Sequence, residues 1–566
     1  MRALGTGYRP AGKLGLGPAV MVAWLVALAL WPGQWSMPVT DRDEARYSQA
    51  ATQMMESGDF VDIRFQDKPR YVKPAGIYWM QVISTQPFGG PEAPIGAYRI
   101  PSFLGIVIVS LATAWIGARI MGPAYGALAG CLFGLCLLAG AEGRIAKTDA
   151  TLVAAGTVAQ LALFQILVQP KGSPPREFRR WPLVFWFASG LAVLVKGPIF
   201  TIFSLATILA YVVFTRDWRA FRRLRPLLGL LVFAVVGLTW VALITIQSEG
   251  AFIRESIGHA LLGKVADGDD AHGGPPGYHL VLLPAMFWPG TALLGLGAWA
   301  AVTRRGDPAV IFLLAWIVPG WLIYEAVATK LPHYVLPTYP AIALLCALGL
   351  RDAAEAVRVP RIHVLGLGLF VLASGILAAA AFLGIADIGG DPLDPWVIAV
   401  YGALLMTLII GMAVLRRPGL RGAAWTALPV IGFYAVLGEG ALPRLDEMWP
   451  SRAVWQVASR IEGCETLRFA TAGYREPSNV FYLGTDTILG DGARAGRLLS
   501  EAPRCSVAIV DRREIAAFET ALGDVPVRRL AVVEGTNVSK GRGLELSIFV
   551  AQNGPLRLGE GEPRRL

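Results

Sequence analysis

The chain has 566 residues, 54% of them hydrophobic and only 16% charged, and its mean hydropathy is +0.52. Soluble domains carry about 25% charged residues, so a wholly water-soluble protein is excluded and most of the chain is expected inside a membrane. The net charge of +10 does not indicate a nucleic-acid partner, because the basic residues sit in short loops between apolar blocks rather than on one face or tail.

The first apolar block, residues 18–35, follows Arg2, Arg9 and Lys13. It has no small-residue cleavage site before the charged stretch 40–46 and leads straight into further apolar blocks, so it reads as a retained first helix rather than a signal peptide. Blocks of the length that crosses about 30 Å of hydrocarbon then recur. Thirteen spans are predicted, at residues 18–35, 97–119, 123–141, 150–169, 182–196, 199–215, 227–246, 279–302, 308–326, 334–350, 363–386, 396–415 and 423–441. The shortest break lies at Lys196-Gly197-Pro198. Arginine and lysine gather in alternate loops: Lys171/Arg176/Arg179/Arg180, Arg216/Arg219/Arg222/Arg223/Arg225, Arg304/Arg305, Arg351/Arg358/Arg361 and Arg416/Arg417/Arg421. The positive-inside rule then predicts a cytoplasmic amino terminus, a periplasmic carboxyl terminus and a bacterial inner-membrane location. The remaining loops, 36–96, 142–149, 247–278, 327–333 and 387–395, fall outside, and they hold the carboxylates, histidines and isolated lysines.

The first outer loop is too long for a plain connector. Residues 43–56 read as a helix of mixed faces lying at the membrane surface, with Thr40 or Asp41 as cap and Gly58 as stop. Residues 65–74 (FQDKPRYVKP) read as extended, since each proline disfavours helix before it. From about Asp446 the hydropathy falls. Helices at 451–461, 494–501 and 514–522 and strands at 467–472, 506–511, 529–533 and 544–550 compose a small α/β domain of about 120 residues without a nucleotide-binding glycine motif. The expected architecture is an α-helical polytopic membrane domain, 1–445, followed by a periplasmic α/β domain, 446–566. Cys131, Cys136 and Cys346 lie inside apolar blocks as small buried hydrophobes. Cys464 and Cys505 share the tail; a periplasmic tail permits their pairing, and spacing alone leaves it open.

The outer loops offer Asp43-Glu44-Ala45-Arg46-Tyr47, Lys73-Pro74, Asp149 after Arg144 and Lys147, His259, Lys264, the run 270–276 (DAHGGPP), and Lys330-Leu331-Pro332-His333-Tyr334. Each alone is weak. The plain alternative for Asp43 and Arg46 is a helix cap with an i,i+3 ion pair, and for Tyr334 an interfacial aromatic anchor. In order, however, DEARY, a KP before GIYW, a TD opening the fourth span and KLPHYVLPTYP opening the tenth resemble the aminoarabinose transferases. These are GT-C glycosyltransferases related to the protein O-mannosyltransferases. The resemblance covers about residues 20–445. It implies an inverting transferase that takes its sugar from a polyprenyl-phosphate carrier on the outer face and passes it to a lipid A-like or other lipid or glycan acceptor. It also implies membrane lipid as surroundings and a chain that works as a monomer.

The leaving group of such a reaction is a phosphate monoester bearing up to two negative charges, which fixed cations stabilise as it departs. Lys73 and Arg46 are the candidates, with Lys264, Lys330 and Tyr334 as further donor-binding groups. Asp43 is the candidate base for an alcohol acceptor, and Asp149 a second carboxylate that orients acceptor or sugar. A phosphate acceptor is already ionised, and Asp43 would then only position groups. Two departures from the family stand out: Val72 replaces a glutamate usable as a metal ligand, and Lys264 stands where the family has an arginine, so the charge is kept and the bidentate geometry is lost. His259, His272, His279 and His333 lack tight ligand spacing, so no cofactor or required metal is predicted. A transporter or flippase, or a non-catalytic envelope-assembly protein, is the rival reading. The absence of a clear internal repeat and of mid-membrane charge weighs against transport.

Overall fold

A computed structural model describes residues 10–169, 180–256 and 273–559. Lys264, His259, Asp270 and His272 lie outside the described residues. The membrane domain begins with α1 (Leu16–Leu30), and the first loop carries α2 (Asp43–Ser57), the hairpin β1 (Arg64–Phe65) and β2 (Lys68–Pro69), and α3 (Gly76–Thr85). The chain continues through α4 (Ile95–Met121), α5 (Pro123–Gly134), α6 (Leu137–Glu142), α7 (Thr148–Leu167), α8 (Trp181–Lys196), α9 (Ile199–Thr215) and α10 (Pro226–Gln247). It ends with α11 (Tyr278–Met286), α12 (Gly290–Thr303), α13 (Pro308–Ala326), α14 (Pro332–Glu355), α15 (Ile362–Asp387), α16 (Pro395–Leu415) and α17 (Leu420–Arg444).

Among the described residues, eight helices are long and apolar enough to cross a membrane, or nine if α11 and α12, bent by 110°, form one span; α1, α8 and α9 are apolar but shorter. The protein is thus a mostly helical, multi-pass membrane protein. Its helices differ in how much they face lipid. The apolar stretch of α7 is enclosed nearly throughout, whereas those of α10 and α15 are largely exposed. Close approach of α4 and α5 depends on small residues: a Cβ added to Gly126 would run into the backbone of Ala118, and one at Gly117 would meet Gly126. Small-residue contacts of this kind replace the hydrophobic driving force that lipid removes.

The first loop departs from the predicted surface helix. Most residues from Glu44 to Met54 are buried, because α2 is held between the bundle and the carboxyl-terminal domain. Its cap is neither Thr40 nor Asp41. Arg42 occupies the N-cap position at φ 63° and ψ −98°, with no side-chain cap, while the Thr40 amide and hydroxyl both donate to Glu44 Oε2 at 2.8 and 2.9 Å. The expected stop holds: Gly58 takes φ 71° and its amide closes on Met54 O. Residues 65–74 are extended only in part, turning back as the small hairpin before α3.

The carboxyl-terminal region contains α18 (Pro450–Ala458), β3 (Ile461–Glu462), β4 (Arg468–Ala472), α19 (Pro477–Leu483), β5 (Ile488–Gly490), α20 (Gly492–Glu501), β6 (Ser506–Asp511), α21 (Ile515–Leu522), β7 (Val527–Asn537), β8 (Arg542–Ala551) and β9 (Arg557–Leu558). Five strands form one sheet in the order β5-β4-β6-β8-β7; β4 pairs in parallel with β5 and β6, and β8 antiparallel with β6 and β7. Strand β6 is buried at every position, as its unbroken apolar run VAIV requires for a strand covered on both faces. Helix α19 and strand β5 were not predicted; both are too short to show a period. Cys464 and Cys505 form a disulfide closing a sequence separation of 41, a loop for which chain entropy gives about 4 kcal/mol. Cys131, Cys136 and Cys346 are free and buried, as expected.

Candidate active site

Two buried arginines build the frame. Arg99, near the start of α4, and Glu44, on the first turn of α2, are both wholly buried and pair through two contacts, at 2.8 and 3.0 Å. The Arg99 guanidinium also donates to the carbonyls of Gly33, Gln34, Met37 and Pro38, and Glu44 Oε1 accepts from the Ala146 amide at 2.9 Å. The Glu of DEARY is therefore the structural residue of the motif: it ties α2, the exit of α1 and the loop 142–149 together. Arg144 completes the frame by donating to the carbonyls of Ala29, Pro32 and Gly140 while its guanidinium lies 4.5 Å from the Tyr434 ring centre. Carbonyls left open at the end of α1 thus find donors.

A charged cluster rests on this frame at the mouth of the bundle. Lys147 Nζ lies 2.9 Å from Glu142 Oε1 and 3.8 Å from Asp149 Oδ2. Lys196, at the last position of α8, reaches Asp149 Oδ1 at 2.5 Å. Gly197 at φ 84° and Pro198 then break the chain, so the short break at this point ends α8 with its ammonium aimed at α7. His333 lies between the two carboxylates, with Nδ1 3.7 Å from Glu142 and Nε2 3.6 Å from Asp149. Tyr334 lies beside it, its ring 6.0 Å from the Lys196 ammonium and 5.8 Å from the Tyr324 ring. Burial works against the charge of Lys147, but the Glu142 and Asp149 carboxylates outweigh it and hold the ammonium above its ordinary range. Burial and the Asp149 charge push the Glu142 carboxyl up, against the pull of Lys147.

The first loop supplies a second group facing this cluster. Asp43 is exposed at the start of α2, and its charge acts on Arg46, Tyr47, Arg70 and Tyr78 within the loop and on Lys147 and His333 across the cleft. Arg70 Nε donates to Tyr78 Oη at 3.2 Å, and its guanidinium stands 5.1 Å from the Tyr47 ring centre. Arg46 is half-buried; burial and the neighbouring Arg70 draw its pKa down. Lys73 is half-buried in the turn leading into α3.

The charge of Asp43 reaches Arg46 on its own helix and Lys147 and His333 beside Asp149 and Tyr334, so these four residues share one electrostatic neighbourhood. The Lys330 ammonium donates to Val327 O at 3.1 Å, at the end of α13, and makes no ion pair among the described residues. Its loop is fixed instead by His279, whose ring bridges Glu325 and the Leu331 carbonyl at 3.1 Å each. Sequence reasoning assigned no role to Glu142, Lys147, Lys196, His333 or Arg70. The available signal was position, since ionisable residues at the ends of apolar blocks are costly there without partners. Among the described residues no group of three or more His, Cys, Asp or Glu is arranged to hold a metal.

Comparison with known proteins agrees with this geometry. Residues 20–250 match the family described as dolichyl-phosphate-mannose-protein mannosyltransferase. A solved structure, ArnT from Cupriavidus metallidurans bound to undecaprenyl phosphate, superposes with a TM-score of 0.76 at 19% identity over 94% of this chain and 98% of that one. The chain has the aminoarabinose-transferase fold. The resemblance read from DEARY, KP, TD and KLPHY stands. Two curated undecaprenyl phosphate-α-4-amino-4-deoxy-L-arabinose arabinosyl transferases are similar in sequence. One, from Edwardsiella ictaluri, is 24% identical over 461 residues, 77% of this chain and 80% of the relative. The other, from an Enterobacter species, is 25% identical over 323 residues, and the match spans 56% of each chain.

Proposed function

We propose that this chain is an inverting glycosyltransferase of the GT-C type that moves a sugar from a polyprenyl-phosphate carrier to a lipid A-like or other envelope acceptor on the periplasmic face. The observation that carries this reading is the approach of Asp43, with Arg46 and Arg70 beside it, to the Glu142–Lys147–Asp149–Lys196 cluster at the bundle mouth. All thirteen apolar segments are taken as spans, with the amino terminus inside. The disulfide between Cys464 and Cys505 supports an oxidising compartment for the tail. The protein works as a monomer and without a resident metal.

In the reaction the bond from the anomeric carbon to the carrier's phosphate oxygen breaks as the acceptor oxygen attacks from the opposite face. Arg46, Lys73 and Arg70, with Lys264 as a further cation, offset the charge that develops on the departing phosphate. With a hydroxyl acceptor, Asp43 takes the proton; with a phosphate acceptor it positions the nucleophile. Asp149, held by Lys196 and Lys147, orients the sugar together with Tyr334. Glu142 Oε2 is buried and has no hydrogen-bond partner among the described residues, an acceptor suited to a sugar hydroxyl or ammonium.

Radiolabel transfer from undecaprenyl-phosphate-linked 4-amino-4-deoxy-L-arabinose to lipid A, measured in membranes, tests this. Asp43→Ala and Lys73→Ala are expected to abolish transfer. Full transfer by both variants would remove the site from the reaction. Mass spectrometry of lipid A and surface glycans after gene deletion identifies the acceptor. Unchanged products there, with no transfer in membranes, would favour the transporter or scaffold reading.

A further inference from the structure

The carboxyl-terminal domain grips α2 along its length. At the middle and far end, Gln49 donates to Thr485 Oγ1 at 2.8 Å, Thr485 donates to Glu56 at 2.9 Å, and the Gln66 amide reaches the carbonyls of Thr485 and Thr487. At the near end the contacts are denser. The Val39 amide donates to Tyr482 Oη at 3.2 Å, Arg42 to Ser539 O at 3.3 Å, and Asp41 accepts from both Tyr474 Oη, at 3.0 Å, and Ser478 Oγ. Ser451 Oγ lies 3.1 Å from Tyr474 Oη and 2.6 Å from Ser478 Oγ, so both donors to Asp41 are themselves held. Between Asp41 and Asp43 stands Arg42, a non-glycine residue at φ 63° and ψ −98°, a conformation an L side chain adopts only when its surroundings impose it.

We propose that Asp41 is a positioning residue: anchored by Tyr474 and Ser478 of the carboxyl-terminal domain, it holds the strained backbone at Arg42 and so aims Asp43 at the reacting centre. The domain is then a part of the active site at one remove, acting through the main chain of three consecutive residues. Asp41 touches neither the Glu142–Lys147–Asp149–Lys196 cluster nor Arg46, and its only hydrogen-bond partners among the described residues are on the domain. The charged groups around it are Arg42 on its own segment and Glu476 on the domain. The inference rests on the proposed transfer reaction for its catalytic half, but not for its mechanical half.

The test uses the full-length protein in nanodiscs with undecaprenyl-phosphate-linked 4-amino-4-deoxy-L-arabinose and lipid A. Tyr474→Phe removes one donor without changing shape and is expected to lower kcat at least fivefold while the donor KM stays within twofold. In the Tyr474→Phe background, Arg42→Gly is expected to recover part of the lost turnover, because glycine adopts positive φ without steric cost. Arg42→Ala, which equally loses the contact to Ser539, is expected to recover none. Hydrogen–deuterium exchange over residues 40–46 is expected to quicken in Tyr474→Phe and in Asp41→Asn whether or not transfer is measured. Unchanged kcat in Tyr474→Phe, equal behaviour of the glycine and alanine variants, or unchanged exchange over 40–46 would each overturn the proposal. A wild-type protein without transfer activity would count against the reaction instead, and the exchange measurement would still decide the clamp.

Discussion

Replacing Lys196 by methionine keeps the length and apolar stem of the side chain and removes its charge. The ammonium lies 2.5 Å from Asp149 Oδ1, while Lys147 stands at 3.8 Å and His333 at 3.6 Å from the same carboxylate. Neither of the latter distances is a hydrogen bond, so Lys196 provides the closest charged contact, and with the Asp149 side chain only 9% exposed water replaces little of it. A hydrogen bond between charged groups contributes about 1.5–3 kcal/mol, so kcat/KM for transfer is expected to fall roughly 10- to 100-fold in Lys196→Met. Lys196→Arg, which keeps charge but not its geometry, should fall between. Single-turnover transfer in nanodiscs measures this, and Asp149→Asn closes a double-mutant cycle. Residues acting as one unit lose little more together than the worse variant alone. Additive losses, or a fully active Lys196→Met, would refute the assignment of Asp149 and Lys196 to one working pair.

Removing one partner of the Glu44–Arg99 pair is expected to cost about 3–5 kcal/mol, because a buried charge is left uncompensated. Thermal unfolding in detergent should show a marked fall for Arg99→Met, and an unchanged transition would exclude the framing role. Arg70→Gln is expected to lower turnover at saturating donor about tenfold, or about 1.4 kcal/mol, because the charge it offsets develops as the phosphate departs; unchanged turnover would remove Arg70 from the phosphate site. Burial pushes the Asp41 carboxyl up to about 6, outweighing the hydrogen bonds from Ser478 and Tyr474. A raised acid stabilises the docked state fully below its unfolded value near 3.9 and loses that contribution as pH rises through about 6, roughly 3 kcal/mol over the window. Limited proteolysis of the tail should accordingly quicken from pH 4 to 6.5 in the wild type and lose that dependence in Asp41→Asn. Reduction, or Cys464→Ser, should destabilise the tail by about 4 kcal/mol, read as a lower unfolding temperature of that domain; no shift would contradict the pairing.

Much of the helical architecture was legible because hydropathy and arginine placement act over twenty residues at a time. Each predicted block from 18–35 to 423–441 meets a helix, and even the break at Lys196-Gly197-Pro198 falls where it was read. Strands β4 and β6 were legible for a similar reason, as buried runs bounded by turns. What was not legible depends on partners distant in sequence. The pattern of DEARY makes Asp43 and Arg46 visible, but nothing local says that Glu44 pairs with Arg99, 55 residues away, and so turns its back on the chemistry. The mixed faces of α2 read as an interfacial helix because its second partner, the tail domain, lies more than 400 residues further on. Lys330, whose place in a motif suggested donor binding, donates to a carbonyl three residues back, which leaves two of its three N–H donors for other partners.

The charges of the site divide between two pieces of chain, and that division accounts for the length of the first loop. At the bundle mouth the carboxyl groups of Glu142 and Asp149 face the ammonium groups of Lys147 and Lys196, two acidic and two basic side chains within 2.5–3.8 Å. A cluster balanced in this way has little attraction left for a phosphate group, and burying an anion against it would carry a desolvation cost without a matching cation. Around Asp43 the first loop is biased the other way: Arg42 and Arg70 both act on Arg46 beside that carboxylate. The proposed transfer accordingly assigns phosphate recognition to the loop, and orientation of the neutral or cationic sugar to the bundle. On that assignment the reacting bond would lie between them, and its alignment would need the loop held against the mouth to within a fraction of an ångström. The buried Glu44–Arg99 pair ties α2 to the bundle, and Gln49 and Asp41 tie it to the carboxyl-terminal domain, so a helix that reads as a surface element is enclosed on both sides.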